Sequence, residues 1–312
     1  MPESAPVAVI DLGTHSALLL IAQRQRNGTL NVLNEDFKIT RLGSGIEKSA
    51  NLLPQNQQAT LDELHLFKKK ITAYGCTQIT VLATEAIRKA ANASGFLNLL
   101  QNQFGWQVKV LSPQEEARFS YLGAISVFDH FATKLFSVID VGGGSTEITK
   151  GRGKKIECSQ SFAMGAVRLA ERFNYREKIV SFDIPGIQEM LNESFDEPEL
   201  KKLTEDALLV GTGGTITTAA AIHNGMKKYD PNVINKTSLT LDQLLMLFED
   251  LNARSLKERQ QVKGLEPGRE DVILYGLMIY IHLMQKAGIW RIKVSGGGLR
   301  HGFLLAQMSD SD

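Results

Sequence analysis

The residues best suited to chemistry are two carboxylates and three glycines in the run V-I-D-V-G-G-G-S-T-E-I-T, Val138 to Thr149. Gly142, Gly143 and Gly144 free the backbone to take positive φ and to approach a ligand with bare amides, which suits a phosphate. Asp140 and Glu147 stand at opposite ends of the turn, so a hairpin brings both near an anion held there. Two acids beside a phosphate imply a divalent cation, because bare carboxylates would repel it. The other reading is a plain glycine hairpin whose acids face water.

The same pattern occurs earlier, in V-A-V-I-D-L-G-T-H-S-A-L-L-L-I from Val7 to Ile21, where Asp11 answers Asp140. Two copies about half a chain apart predict a duplicated α/β unit with a cleft between the halves. A further glycine turn, G-T-G-G-T around Gly213, Gly214 and Thr215, follows a strand and opens a helix of small residues, a second place for a phosphate. Arg88 falls about one turn beyond the carboxyl end of a predicted strand, where α/β sheets place ligands, and its fork matches two phosphate oxygens. A surface arginine is the alternative. In S-P-Q-E-E, Ser112 and Glu115 fit an N-cap and its partner acid, while Glu116 points about 100° away around the helix, where a carboxylate can take a proton from water. Two solvated acids favoured by the helix dipole are the competing reading.

The elements around these residues follow from periodicity. Strands are expected at Thr29 to Ile39, after a turn at Asn27 and Gly28, and at Ile79 to Ala83, Val108 to Leu111 and Ile292 to Ser295. Helices are expected over Asn51 to Tyr74, A-T-E-A-I-R-K-A-A-N, Ser161 to Phe173, Asp242 to Leu251 and Arg269 to Lys286. The amino end of the Ser161 helix offers another anion site. K-G-R-G-K-K from Lys150 is expected as an exposed turn, and the glycines of G-G-G-L-R-H-G after Ser295 bring a helix close to the sheet.

Composition excludes several classes. A net charge of +1 over 312 residues gives no field to recruit nucleic acid or an anionic membrane. Cys76 and Cys158 are too few for a disulfide framework or zinc site and are expected as buried reduced thiols. His15, His65, His130, His223, His282 and His301 show no metal spacing. No apolar run approaches the roughly 18 residues of a membrane helix, and no secretory leader precedes the first strand, so the cytoplasm is expected. The Walker, G-x-G-x-x-G and G-x-S-x-G motifs are absent.

Taken in order, V-I-D-L-G-T-H-S, A-T-E-A-I-R-K-A-A-N, E-E-A-R, D-V-G-G-G-S-T-E, G-A-V-R-L-A-E-R-F, G-T-G-G-T and S-G-G-G-L-R-H-G resemble the exopolyphosphatase and guanosine pentaphosphate phosphohydrolase (Ppx/GppA) family in a short, two-domain form. The resemblance implies the duplicated actin-like, ribonuclease H-like fold of actin, Hsp70 and sugar kinases. Its domains are expected at 1–130 and 131–312, the last helix packing back on the first. It implies hydrolysis of the terminal phosphoanhydride of inorganic polyphosphate, or alternatively of guanosine pentaphosphate. Glu116 matches the family's base. By the same resemblance Glu147 is expected to orient the water or hold a cation with Asp11 and Asp140, and Thr14, His15, Ser16, Arg88, Gly143, Gly144, Ser145, Thr146, Gly213, Gly214 and Thr215 are expected to bind phosphoryl oxygens. Mg²⁺ or Mn²⁺, with K⁺ as a further candidate, and a homodimer are family expectations. His15 replaces the family's usual Asn. Arg269 and Tyr275 are the candidates for a nucleoside pocket. An ATP-dependent kinase and a non-catalytic sensor are the remaining alternatives.

Overall fold

The computed structural model describes residues 5–25, 29–129, 131–175 and 177–309. The Asn27–Gly28 turn and His130 fall outside them. The chain divides into two compact units, the first running to Gly123 and resuming at Leu299, the second spanning Ala124–Gly298.

The first unit is built on β1 (Val7–Leu12), β2 (Ser16–Arg24), β3 (Leu30–Ile39), β4 (Gln78–Ala83) and β5 (Gln107–Val110), in the order β3-β2-β1-β4-β5. β1 to β3 form an antiparallel meander, and β4 runs parallel to both β1 and β5. The apolar run of β1 is continuous because both faces of the strand are covered. Helix Pro54–Ala73 contributes Leu61, Leu64, Phe67 and Ile71 to the core, and helix Leu299–Ser309 contacts β1. The glycine of that last helix serves a helix rather than the sheet: a Cβ on Gly302 would lie 1.8 Å from the Phe119 carbonyl oxygen in helix Pro113–Ile125.

The second unit repeats the plan with β6 (Leu135–Val141), β7 (Thr146–Arg152), β8 (Lys155–Phe162), β9 (Leu208–Thr212), β10 (Ser238–Thr240) and β11 (Arg291–Val294), in the order β10-β11-β9-β6-β7-β8. Read as β8-β7-β6-β9-β11, its meander and parallel strands reproduce the first sheet strand for strand. This is the duplicated actin-like α/β fold. A separate core forms around helix Ile273–Lys286, including Leu277, Tyr280 and Met284.

Several local expectations are corrected. The helix carrying Arg88 covers only Glu85–Lys89, because Ala90 is extended and the Asn92 amide clasps the Leu52 backbone at 2.8 and 3.0 Å before a new helix begins at Ala93. Most of K-G-R-G-K-K is strand: it joins β7 to β8, with Gly153 at φ +53 in the turn. Ser161 and Phe162 belong to β8, so the next helix starts at Ala166. Helix Ile273–Lys286 starts later than Arg269. Both cysteines are free and half-buried rather than buried. Among the described residues no helix is long and apolar enough to cross a membrane.

Candidate active site

In the second unit the register places Asp140 directly opposite Glu147, Glu147 opposite Ser161, and Asp140 beside Thr212. Directly paired residues share one face of a sheet, so the two carboxylates are neighbours. Glu147 is buried, and the Ser161 hydroxyl donates to its Oε1 at 2.7 Å. Position 161 was legible only through the register of β8.

The glycine turn after Asp140 does not use positive φ: Gly142, Gly143 and Gly144 are absent from the left-handed region, where Gly213 sits at φ +87. Close approach accounts instead for Gly142, where a Cβ would lie 3.1 Å from the Ser145 oxygen, and for Gly165 beyond the turn. Gly142 N–H donates to the Ser145 carbonyl at 2.9 Å, and a Cβ on Gly165 would lie 2.5 Å from the Gly143 oxygen. The amides of Ala166, Val167 and Arg168 donate to the carbonyls of Gly142 and Gly143 at 2.8 to 3.1 Å. The amino end of this helix is therefore occupied by the turn and does not offer the anion site expected from the sequence. Holding the carbonyls inward leaves the Gly143 and Gly144 amides without acceptors among the described residues. The Thr146 hydroxyl pins the turn by donating to Met164 O at 2.6 Å.

The next turn lies against the same carboxylate: a Cβ on Gly213 would stand 2.5 Å from Asp140 Oδ1. Gly214 and Thr215 open helix Gly214–His223, whose first amides have no intrahelical acceptor. The Arg269 guanidinium covers Gly214, where a Cβ would meet it at 2.1 Å, and pairs with Glu266. Arg269 thus belongs to the glycine turn rather than to a nucleoside pocket, and Tyr275 is fully buried in the core and unavailable for base stacking. Tyr280 fastens both turns at their roots: its hydroxyl lies 3.1 Å from Ile139 O and 2.8 Å from Thr212 O. Burial raises this phenol's pKa well above its usual value, assisted by the charge of Asp140, so it remains a proton donor. Spacing alone could not have singled out this tyrosine.

In the first unit, Gly13 N–H donates to Ser16 O at 3.0 Å. The Thr14 carbonyl accepts from Gly43, and the His15 carbonyl accepts from Thr40 and Arg41. Thr14, His15 and Ser16 are buried, and Asp11 lies in β1 just before this turn. The structure brings Arg88 and Glu116 together: Arg88 Nη1 donates to Glu116 Oε2 at 2.7 Å and to Leu111 O at 2.7 Å. Its Nη2 and Nε make no hydrogen bond among the described residues. One edge of the fork therefore holds the acid while the other faces away from it. Glu115 is the cap: it accepts from Ser112 N–H at 3.0 Å, and its pairing with Lys109 lowers its pKa, with the Ser112 bond second.

Among the described residues no group of three or more His, Cys, Asp or Glu stands together to hold a metal. The Asp140–Glu147 pair still suits a hard divalent cation, since Mg²⁺ is usually held by one or two carboxylates and completed by water and phosphate oxygens.

The second unit carries a glycine turn with free amides and a carboxylate pair, and the first unit carries an arginine-held glutamate; each is a residue type suited to phosphate chemistry. The Ppx/GppA phosphatase family model matches residues 20–311. The chain belongs to that family. It is 29% identical over 314 residues to Exopolyphosphatase 2 of Mycobacterium tuberculosis, covering 96% of this chain and 98% of that protein. It is 30% identical over 295 residues to the bifunctional 3-dehydroquinate synthase/phosphatase of Fusobacterium nucleatum, covering 90% of this chain and only 43% of that longer protein. The crystal structure of the Aquifex aeolicus family member aligns with TM-score 0.81 and 31% identity over 100% of this chain and 99% of that one.

Proposed function

We propose that this family member is an exopolyphosphatase, a hydrolase that removes the terminal phosphate of inorganic polyphosphate as orthophosphate. The observation that carries the reading is the divided fork of Arg88, with Nη1 on Glu116 and with Nη2 and Nε making no hydrogen bond among the described residues. A base acting on water must be aligned with the phosphorus under attack, and an arginine touching both the base and a phosphoryl oxygen provides that alignment.

In this mechanism Glu116 takes a proton from water as the water oxygen bonds to the terminal phosphorus. The bridging P–O bond breaks, and the chain leaves one phosphate shorter with the electron pair on its new terminal oxygen. Arg88 and the amides of Gly143, Gly144, Ser145, Gly214 and Thr215 stabilise charge on the non-bridging oxygens, with Thr14, His15, Ser16, Thr146 and Gly213 shaping the turns. Asp140 and Glu147 are the pair that would hold a divalent cation, Mg²⁺ or Mn²⁺, which would neutralise phosphate charge; Asp11, assigned with them by the family likeness, forms no group of three acids with them among the described residues, and K⁺ is a further candidate. Cytoplasmic action as a homodimer follows the family likeness.

Guanosine pentaphosphate is the competing substrate within the family, with guanosine tetraphosphate as its product-side partner. The burial of Tyr275 and the engagement of Arg269 remove the two candidates for base recognition, which favours polyphosphate. The test is orthophosphate release with Mg²⁺ from polyphosphate, guanosine pentaphosphate and ATP. Polyphosphate is the expected substrate, with turnover reduced about 10²-fold or more in folded Glu116→Gln. Full activity in that variant would remove Glu116 as the base, and preference for guanosine pentaphosphate would overturn the substrate assignment.

A further inference from the structure

An open, solvent-facing pocket lies in the second unit, outside the residues assigned above. It has a volume of about 330 Å³ and is lined by His223, Asn224, Asn232, Val233, Lys236, Thr237 and Ser238. The side chains of His223, Asn232, Lys236 and Ser238 make no hydrogen bond among the described residues. The floor, in contrast, is fixed: Asn224 Nδ2 donates to Ala220 O at 2.7 Å and to Thr237 Oγ1 at 3.0 Å, and Thr237 Oγ1 donates to Val233 O at 2.9 Å.

The wall chemistry selects an anion. No acid lines the cavity, and Asp230 nearby is committed as a helix cap, accepting Asn232 N–H at 2.9 Å. Lys236 supplies positive charge, and His223, Asn232 and Ser238 supply further donors. His223 ends helix Gly214–His223, whose negative pole would oppose an anion. That pole is muted, because the carbonyls of Ala220, Ala221 and Ile222 already accept from Asn224, Met226 and Gly225. The volume lies at the small end of ligand sites, enough for an oxyanion with a compact organic body.

We propose that this cavity is an accessory site for a small phosphoryl anion, orthophosphate or a compact organophosphate, coupled to the phosphate-binding turns of the same unit. Two connections carry the coupling. The ten-residue helix Gly214–His223 runs from the Gly214 and Thr215 amides to the cavity, about 15 Å by its rise per residue. Next in sequence to the lining residue Lys236, Asn235 Oδ1 accepts Gly296 N–H at 2.7 Å, and Ser295 N–H donates to Gly211 O at 2.9 Å beside the Gly213 turn. A ligand at one end thereby changes affinity at the other, and linkage makes the effect reciprocal.

Isothermal titration calorimetry of the full chain with orthophosphate, and separately with adenosine monophosphate, tests the site without requiring turnover. The expected result is a binding event weakened tenfold or more in Lys236→Glu and restored in Lys236→Arg, while unliganded kcat and KM for polyphosphate match the parent protein. Binding of adenosine monophosphate tighter than orthophosphate identifies an organophosphate site, and the reverse identifies a bare-anion site. Superimposable isotherms for parent and Lys236→Glu with both probes would overturn the proposal. So would a loss that Lys236→Arg does not restore. If Lys236→Glu does not fold, Asn232→Leu replaces it with the same expectation of weakened binding. Failure of polyphosphate hydrolysis would count against the assigned activity and leave the calorimetric result to decide this site.

Discussion

The two glycine turns share a backbone and differ in what hangs from it. Gly13 N–H meets Ser16 O at 3.0 Å, and Gly142 N–H meets Ser145 O at 2.9 Å. Both turns follow an aspartate, and both have their carbonyls tied back by amides from a later segment. Across the hairpin, however, Asp11 faces Leu18, whereas Asp140 faces Glu147. On the other side, the register matches Ala83 and Thr84 to Gly213 and Gly214. The first unit closes this position, since Thr84 N–H donates to Leu12 O at 3.3 Å, and a helix of only five residues follows. The second unit has glycines there, with the Arg269 guanidinium over Gly214, and opens a ten-residue helix. Duplication supplied the amide cradle twice, but the second copy carries the carboxylate pair and the arginine-covered glycine turn. The first instead contributes the arginine-held glutamate.

The most direct way to break the comparison is Glu147→Leu, which gives the second turn the residue type of the first. Turnover should fall about 10²–10³-fold, as for loss of a group that stabilises transition-state charge or guides a proton. Retained kcat would mean that the acid pair is not what separates the two turns.

A pH titration compares the units as wholes, because each carries a desolvated histidine: the half-buried His301 in the first and the buried His282 in the second. Burial lowers both pKa values from 6.5 to about 4; Lys286 adds to the effect at His282, while at His301 Glu35 opposes it. Folding therefore excludes protons that the unfolded chain binds. The stability contribution is complete above pH 6.5 and is lost as pH falls toward 4, about 1–3 kcal/mol for each histidine. Urea unfolding at stepped pH should detect this, and substitution of either histidine by Gln should flatten its share of the slope. An unchanged slope in both variants would assign the acid sensitivity elsewhere.

Gly213→Ala sharpens the contrast with Ala83. At φ +87 a side chain costs about 1–2 kcal/mol, and the added Cβ would also press on Asp140 Oδ1. The melting temperature should fall by about 2–4 °C per kcal/mol, and KM should rise with it. Ala83→Gly should leave KM near the parent value.

The smallest effect belongs to Tyr280→Phe, which removes the hydroxyl between the roots of β6 and β9. A loss of about 1 kcal/mol in stability is expected, with kcat lowered less than tenfold. Equal loss of stability without any change in kcat would limit Tyr280 to a structural role.

Much of this site was legible in the chain. The alternation of apolar strand, acid and glycine turn located Asp11 and Asp140, and the helix-start pattern separated the capping Glu115 from Glu116 through a 100° step around the axis. Local features failed where neighbours intervened. Gly142 to Gly144 invite a positive-φ reading, yet none takes it, and the backbone of Gly143 and Gly144 lies so close to residue 165, outside the turn, that only glycine fits there. The helix at Ala166 carried an anion-site pattern, but the Gly142 and Gly143 carbonyls consume its amides. Arg269 reads from the sequence only as a candidate for a base pocket, because nothing nearby identifies Gly214 as the residue it covers.

The sequence by itself determined which residues end strands, which turns omit side chains and where carboxylates stand along the backbone, because these depend on neighbours within a few positions. Only the tertiary structure decided that Arg88 reaches Glu116, that Ser161 supports Glu147 and that Tyr280 joins the roots of two turns. Those pairings depend on strand register and helix packing, which are set by burial of apolar surface across the whole unit and leave no local mark on the residues they bring together.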